Sequence, residues 1–113
     1  MIFITGPLFS GKEEYICRAL GWSHADFEGK AKRDVQELVR NIQTGTLLSL
    51  ADALSRYEVV ISTEVGGGVV PADAEERAFR ESAGRLSCLL TERADVVVRV
   101  CCGLPQFLKG GPL

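Results

Sequence analysis

The sequence predicts an α/β protein with a small, mostly parallel sheet flanked by helices. Three apolar segments rich in β-branched residues, 1–5, 58–62 and 95–102, are typical of buried strands because their hydrophobic runs do not alternate with polar residues. Segments with helical periodicity separate them, and this alternation favours parallel βαβ units. A glycine-containing loop at 6–11 joins the first strand to the first helix.

Length and composition indicate one globular domain, residues 1–113, with a formal net charge of -2 and a pI near 5.4. Hydrophobic residues make up 46% and charged residues 25%, which excludes a disordered chain. The slightly acidic balance argues against nucleic-acid or anionic-membrane binding, since both need a basic surface. No apolar run approaches the roughly 18–20 residues of a membrane span, and no secretory signal is evident at the start. We therefore expect a soluble, cytoplasmic protein.

In the first half of the chain, the pattern predicts a helix over 12–20 that stops at a glycine. The segment 22–33 is polar and without clear period, which indicates a loop. Residues 34–43 have apolar side chains at i, i+3, i+4 and i+7, the stripe of an amphipathic helix. A second helical stretch runs from 47 to about Tyr57.

In the second half, a glycine-rich loop at 63–71 follows the second strand. Asp73 and Glu76 have the spacing of a capping box that opens a long helix. Gly103 ends the third strand. A sheet of about three strands leaves an edge and much surface uncovered, so we expect a homo-oligomer. The four cysteines show no spacing of a metal site and are expected to be reduced thiols.

The loop after the first strand matches the phosphate-binding pattern G-x-x-x-x-G-K and lies between a strand and a helix, as that pattern requires. Its backbone amides would surround anionic oxygens, helped by the positive end of the following helix dipole. The lysine would stabilise the outer phosphates of ATP or GTP bound with Mg²⁺. The residues predicted to bind nucleotide are Gly6, Pro7, Leu8, Phe9, Ser10, Gly11, Lys12 and Glu13. The alternative is a glycine-rich turn with a surface lysine.

Glu13 departs from this pattern, which has a magnesium-binding Ser or Thr after the lysine. A carboxylate about 4 Å from a phosphate charge costs roughly 4 kcal/mol at an effective dielectric constant near 20. Three alternatives stay open: Glu13 binds the metal ion, Glu13 points away, or the loop binds triphosphate poorly.

Glu64 follows the second strand, and ligand crevices in open α/β sheets lie at the carboxyl ends of strands. Its carboxylate could accept a proton from a hydroxyl or hold a metal-bound water, so Lys12 and Glu64 are the candidate catalytic residues. Arg77 and Arg80 lie at i and i+3 and could bind a phosphate of nucleotide or substrate. The alternatives are an exposed glutamate on a crossover loop and a solvated arginine paired with Glu81.

Four motifs in order resemble one family. They are the Gly6–Lys12 loop, Ser62-Thr63-Glu64-Val65-Gly66-x-Gly68-Val69-Val70-Pro71, Arg77-x-Phe79-Arg80-Glu81-x-Ala83-Gly84-Arg85, and Gly103-Leu104-Pro105-x3-Lys109. The family is the bifunctional adenosylcobinamide kinase/adenosylcobinamide-phosphate guanylyltransferase of cobalamin biosynthesis. The chain resembles a shortened and partly degenerate member.

The resemblance implies a P-loop fold and phosphoryl transfer from ATP or GTP to a hydroxyl of a corrinoid side chain. It further implies guanylyl transfer through a histidine, but the middle stretch carrying that histidine and a second-strand aspartate is absent from the pattern. His24 has no matching surroundings and receives no role. These departures argue against guanylyl transfer. They leave two alternatives to the kinase: a degenerate module that binds nucleotide or anion for regulation or subunit assembly, and a P-loop domain with an unrelated substrate.

Overall fold

The computed structural model describes residues 1–40, 46–66 and 72–113. Within these ranges the chain forms a sheet of five strands with helices packed against it. The elements in chain order are β1 (Ile2–Gly6), α1 (Lys12–Leu20), α2 (His24–Lys30), β2 (Ala31–Lys32), a 3-10 helix (Val35–Val39), α3 (Leu47–Leu54), β3 (Val59–Thr63), α4 (Ala74–Arg93), β4 (Val96–Cys101) and β5 (Leu104–Lys109).

The sheet has the order β2-β3-β1-β4-β5, with β1 at its centre. Strand β1 pairs in parallel with both β3 and β4, so that Ile4 lies between Ile61 and Val98. Strand β2 is parallel to β3, and β5 is antiparallel to β4. The mostly parallel α/β architecture predicted from the sequence is therefore confirmed.

Hydrophobic side chains fill both faces of the sheet. On one face, Phe3 and Val97 pack with Leu86 and Leu90 of α4, together with residues of α3 and the 3-10 helix. On the other face, Ile4 and Val98 pack with Ile16 of α1 and with Phe27 of α2. Each of these side chains is almost completely buried, which is worth about 2 kcal/mol per side chain. The core holds β1, and hence the start of the glycine-containing loop, in place.

The prediction of a loop over 22–33 is wrong, because the segment contains α2 and β2. The helix begins with a capping box: the Ser23 hydroxyl accepts from the Asp26 amide at 3.2 Å, and the Asp26 carboxylate accepts from the Ser23 amide at 3.0 Å. Phe27 is its one buried residue. A single buried aromatic does not produce a periodic pattern, so the helix is invisible to periodicity.

The prediction of three strands is also wrong. After Cys101 the chain turns through Cys102 and Gly103, with φ of 53° and 74°, and returns as β5. Most of β5 is exposed, so it lacks the apolar run that marks the buried strands. Leu104 and Leu108 leave apolar surface at this edge of the sheet. The homo-oligomer expected from an uncovered edge stays a prediction.

Several helix boundaries differ from those predicted. The segment predicted as a helix over 34–43 is a short 3-10 helix, and the rest of that prediction, including Ile42, lies outside the described residues. In α4 the Asp73 carboxylate accepts from the Glu75 amide at 2.9 Å, as a cap should, whereas the Glu76 carboxylate lies 3.4 Å from Arg40. No helix within the described ranges is long and apolar enough to cross a membrane.

Candidate functional site

The loop from Gly6 to Lys12 turns directly from the central strand into α1. Gly11 precedes the helix with φ of 86°, a left-handed conformation that glycine adopts without strain, and its carbonyl accepts from the Tyr15 amide at 3.0 Å. Gly11, the N-cap residue, has no side chain that could cap the first turn of α1. Its amides therefore face the loop with the positive end of the helix dipole, the arrangement that binds anions.

The turn between β4 and β5 supports this loop from one side. The Gly103 amide donates to the Ser10 carbonyl at 2.8 Å. A Cβ atom on Gly6 would lie 2.2 Å from the carbonyl oxygen of Val100, so no larger residue fits there without displacement of the backbone. Strands β1 and β4 and the loop are consequently held in one fixed arrangement.

Lys12 is 8% exposed, and its ammonium group is folded back into the loop. Its Nζ donates to the Pro7 carbonyl at 2.6 Å and, more weakly, to the Gly6 carbonyl and the Ser10 hydroxyl, each at 3.4 Å. Burial lowers the pKa of Lys12, while the carboxylates around it, with Asp34 and Glu64 the strongest, act in the opposite direction. The predicted catalytic lysine therefore lies inside the loop with its charge facing loop carbonyls.

Glu64 lies directly beside the loop. Its amide donates to the Gly6 carbonyl at 2.8 Å, which continues the pairing of β3 with β1 into the loop. A cavity of about 560 Å³ has Pro7, Leu8, Glu64 and Arg80 among its lining residues. The structure thus brings together the predicted phosphate loop, the predicted catalytic carboxylate and one of the two predicted arginines.

The two arginines have different surroundings. Arg80 lines the cavity beside Glu64. Arg77 donates from Nη1 to the Ala72 carbonyl at 2.7 Å, near the start of α4. Glu81, the partner suggested for Arg77 as the alternative, forms an ion pair with Arg85 at 2.7 Å. Arg80 is therefore the better placed of the two for a ligand between α4 and the loop.

A second cavity of about 450 Å³ lies on the other side of the loop, lined by Lys12, Glu13, Arg33 and Asp34 among others. Here Arg33 Nε is 2.6 Å from Glu13 Oε1. The two groups form an ion pair, but the N–H does not point at the oxygen well enough for a hydrogen bond. Arg33 also pairs with Glu28, and its guanidinium lies 4.9 Å from the ring centre of Phe27. The negative charge of Glu13 is thus offset by an arginine.

Sequence reasoning missed three polar residues around the site. Asp34 follows β2 with φ of 54°, so an acidic residue does come after the second strand of the chain. Gln36 is buried, and its Oε1 accepts from the Thr63 amide at 3.0 Å, which ties the 3-10 helix to the end of β3. Arg99 of β4 binds Glu64. None of the three lies in a recognisable motif.

His24 lies at the first position of α2, with a side chain 86% exposed and its Nε2 3.8 Å from Glu28 Oε1. The residues that line the two cavities beside the loop, within the described part of the chain, do not include it. The same ranges hold no group of three or more His, Cys, Asp or Glu side chains placed to hold a metal ion.

Comparison with known proteins identifies the family. The family model described as cobinamide kinase / cobinamide phosphate guanyltransferase matches residues 22–108, which is most of the chain. The chain belongs to this family. The resemblance seen in the sequence is therefore confirmed. The match begins after the 6–12 loop, so the assignment of the loop rests on its motif and geometry.

A curated relative agrees with this assignment. The bifunctional adenosylcobalamin biosynthesis protein CobP of Pseudomonas aeruginosa is 40% identical over 67 residues, which cover 59% of this chain. The same residues cover 39% of the length of that relative. The likeness therefore shows shared ancestry of this part of the two proteins.

Proposed function

We propose that this protein binds the phosphates of ATP or GTP in the 6–12 loop and transfers a phosphoryl group to a hydroxyl of a cobinamide side chain. Membership of the cobinamide kinase / cobinamide phosphate guanyltransferase family supports this class of reaction. A nucleotide and a corrinoid are the substrates that fit this family. One observation carries the proposal: the Glu64 amide is bonded to the Gly6 carbonyl, so that the carboxylate and the loop border one cavity.

The loop amides and three side chains of the site have roles in this reaction. The amides of the loop and of the first turn of α1 would bind the phosphates, and Lys12 would leave its loop carbonyls to stabilise charge on the transferred group. Glu64 would orient the acceptor hydroxyl and accept its proton. Arg80, in the same cavity, would bind a phosphate oxygen.

Magnesium fits the residues around the loop. Mg²⁺ is commonly held by one or two carboxylates together with nucleotide phosphates and water, so a preformed cluster of protein ligands is not required. Asp34 is suited to this role because it shares a cavity with Lys12. Glu13 and Glu64, the carboxylates proposed from the sequence, are each paired with an arginine. When bound, the ion would neutralise phosphate charge.

The transfer assay tests this function. Purified protein is incubated with adenosylcobinamide, Mg²⁺ and either ATP or GTP, and the corrinoid product is followed by mass spectrometry. We expect the corrinoid to gain one phosphate, and Glu64→Gln to lower the rate at least about tenfold through loss of proton transfer. Nucleotide binding without any transfer would contradict the kinase and favour a nucleotide-binding module for regulation or subunit assembly.

Guanylyl transfer is not part of the proposal, because His24 is exposed and faces Glu28. A histidine nucleophile needs a second group that orients its ring toward the reacting phosphorus. We expect no covalent GMP adduct after incubation with GTP and Mg²⁺. Intact-protein mass spectrometry measures this directly, and a mass gain of one GMP would contradict the expectation. Loss of that gain in His24→Ala would assign the adduct to the histidine.

The ion pair between Glu13 and Arg33 leads to a further prediction. Arg33→Ala should weaken ATP binding by about fivefold, since it leaves the Glu13 charge uncompensated beside the phosphates, worth about 1 kcal/mol for a partly exposed pair. Glu13→Ser in the Arg33→Ala background should restore the affinity. Calorimetry measures both effects. Arg85→Ala is the matched control, because Arg85 also forms an ion pair with a glutamate but lines neither of the two cavities beside the loop. Equal weakening by the control would show a nonspecific charge effect.

A further inference from the structure

Glu64 is held by a bidentate ion pair with a residue of another strand. Arg99 Nε donates to Glu64 Oε2 at 2.7 Å, and Arg99 Nη2 donates to Oε1 at 2.9 Å. The planar guanidinium and the carboxylate thus meet in two parallel hydrogen bonds, which fix orientation as well as distance. The Glu64 carboxylate has one defined position in the structure.

The ion pair joins residues on either side of the central strand of the sheet. Strand β1 lies between β3, which precedes Glu64, and β4, which carries Arg99. Thr5 of β1 is in register with Arg99, and Gly6 is in register with Thr63. The ion pair therefore spans β1 at the point where the strand enters the phosphate loop. Since neighbouring strands are about 4.8 Å apart, both side chains must reach over the central strand to meet.

The two side chains are about equally exposed, 36% for Arg99 and 35% for Glu64. The hydrogen bonds and charge of Glu64 raise the pKa of Arg99, with a smaller contribution from Cys101. Because a guanidinium stays protonated in proteins, Arg99 is a permanent cation. Glu64 lines the 560 Å³ cavity, whereas Arg99 of β4 is not among the described residues that line it. Arg99 can therefore fix the carboxylate without occupying the space of a ligand.

We propose that Arg99 is a positioning residue that holds the Glu64 carboxylate across β1 at the edge of the cavity. This proposal rests on the proposed function. Each carboxylate oxygen has a second lone pair, so a paired Glu64 still accepts a hydrogen bond from an acceptor hydroxyl. A carboxylate held in one place avoids the loss of rate that a displacement of about 1 Å brings, which is up to about a hundredfold.

The test is a double-mutant cycle on phosphoryl transfer with Arg99→Ala, Glu64→Gln and the two combined. We expect Arg99→Ala to lower kcat by about 10- to 100-fold with KM for ATP unchanged. Arg99→Lys should recover part of the rate, because it keeps the charge and loses the two-point contact. The double variant should be no slower than Glu64→Gln, since Arg99 acts through Glu64. A double variant slower by the product of both effects would overturn the proposal.

A second measurement does not depend on activity. Carbodiimide labelling with peptide mapping reports how accessible the Glu64 carboxylate is. We expect labelling of Glu64 to increase severalfold in Arg99→Ala and to stay low in Arg99→Lys. Arg93→Ala is the matched control, because Arg93 Nε forms a similar 2.8 Å ion pair with Asp52 at the other end of α4. Thermal melting confirms that each variant is folded.

The two measurements separate failure of this proposal from failure of the proposed function. Unchanged labelling and unchanged kcat in Arg99→Ala would overturn the positioning role while the kinase stands. If the wild-type protein transfers no phosphoryl group, the kinase fails, and increased labelling in Arg99→Ala still supports the hold on Glu64. If the wild type is inactive and labelling of Glu64 is unchanged in Arg99→Ala, the positioning role of Arg99 is overturned as well.

Discussion

Replacement of Lys12 by alanine is expected to weaken ATP and GTP binding by at least about 30-fold. Lys12 supplies the charge inside the 6–12 loop, and its Nζ lies 2.6 Å from the Pro7 carbonyl, within reach of a phosphate in the same loop. A hydrogen bond from a charged donor is worth about 2 kcal/mol or more, which corresponds to this change in Kd. Isothermal calorimetry with each nucleotide, with and without Mg²⁺, gives the affinities.

The matched control for this experiment is Lys30→Ala. Lys30 is an exposed lysine at the end of α2, with its Nζ 5.6 Å from the ring centre of Trp22. Lys30→Ala removes the same charge from the protein as Lys12→Ala does, and it should change the affinities for ATP and GTP by no more than about twofold. An equal loss in both variants would mean that overall charge, and not the loop, determines binding. Unchanged affinity in Lys12→Ala would remove the loop from the site.

Gly6→Ala is expected to lower the free energy of unfolding by about 3 kcal/mol and the melting temperature by roughly 10 °C or more. The added Cβ would lie 2.2 Å from the Val100 carbonyl oxygen and 2.9 Å from the Ser10 hydroxyl. The first contact is with backbone of β4, which cannot move aside as a side chain does. The strain must therefore separate β1 from β4 or displace the loop, and nucleotide affinity should fall as well.

Gly84→Ala provides the control for the glycine experiment. Gly84 is exposed in the middle of α4, and an added Cβ would meet nothing within 4 Å. Because alanine is the better helix former by about 1 kcal/mol, this variant should be more stable than the wild type. Thermal and urea unfolding measure both variants. A Gly6→Ala protein as stable as the wild type would contradict the close packing of the loop against β4.

The sequence predicted the helices and strands whose apolar residues form a clear pattern. Strands β1, β3 and β4 are continuous apolar runs, which identified them as buried strands, and the apolar stripes of α1 and α4 identified these two helices. The proximity of Glu64 to the loop was predictable because the carboxyl ends of parallel strands meet at one edge of the sheet. That prediction needed the strand assignments and no contact information.

The missed features depend on contacts between distant parts of the chain. The ion pair of Arg99 with Glu64 joins residues 35 positions apart, and it exists because β1 inserts between β3 and β4. The pairing of Glu13 with Arg33 depends on α2, which the sequence pattern hides. Sequence alone therefore left Glu13 with three alternatives. The structure gives Glu13 a partner, Arg33, which none of those three alternatives included.

Titration of isotope-labelled protein with ATP and Mg²⁺, followed by amide chemical shifts in two-dimensional NMR, locates the bound nucleotide. Backbone amides of residues 6–12 are proposed to bind the phosphates, with the cavity beside Glu64 and Arg80 next to them. We expect the largest shifts at the amides of residues 6–12, excluding Pro7, with smaller shifts at Glu64 and Arg80. Saturable shifts confined to other parts of the sheet, with these amides unchanged, would contradict this proposal.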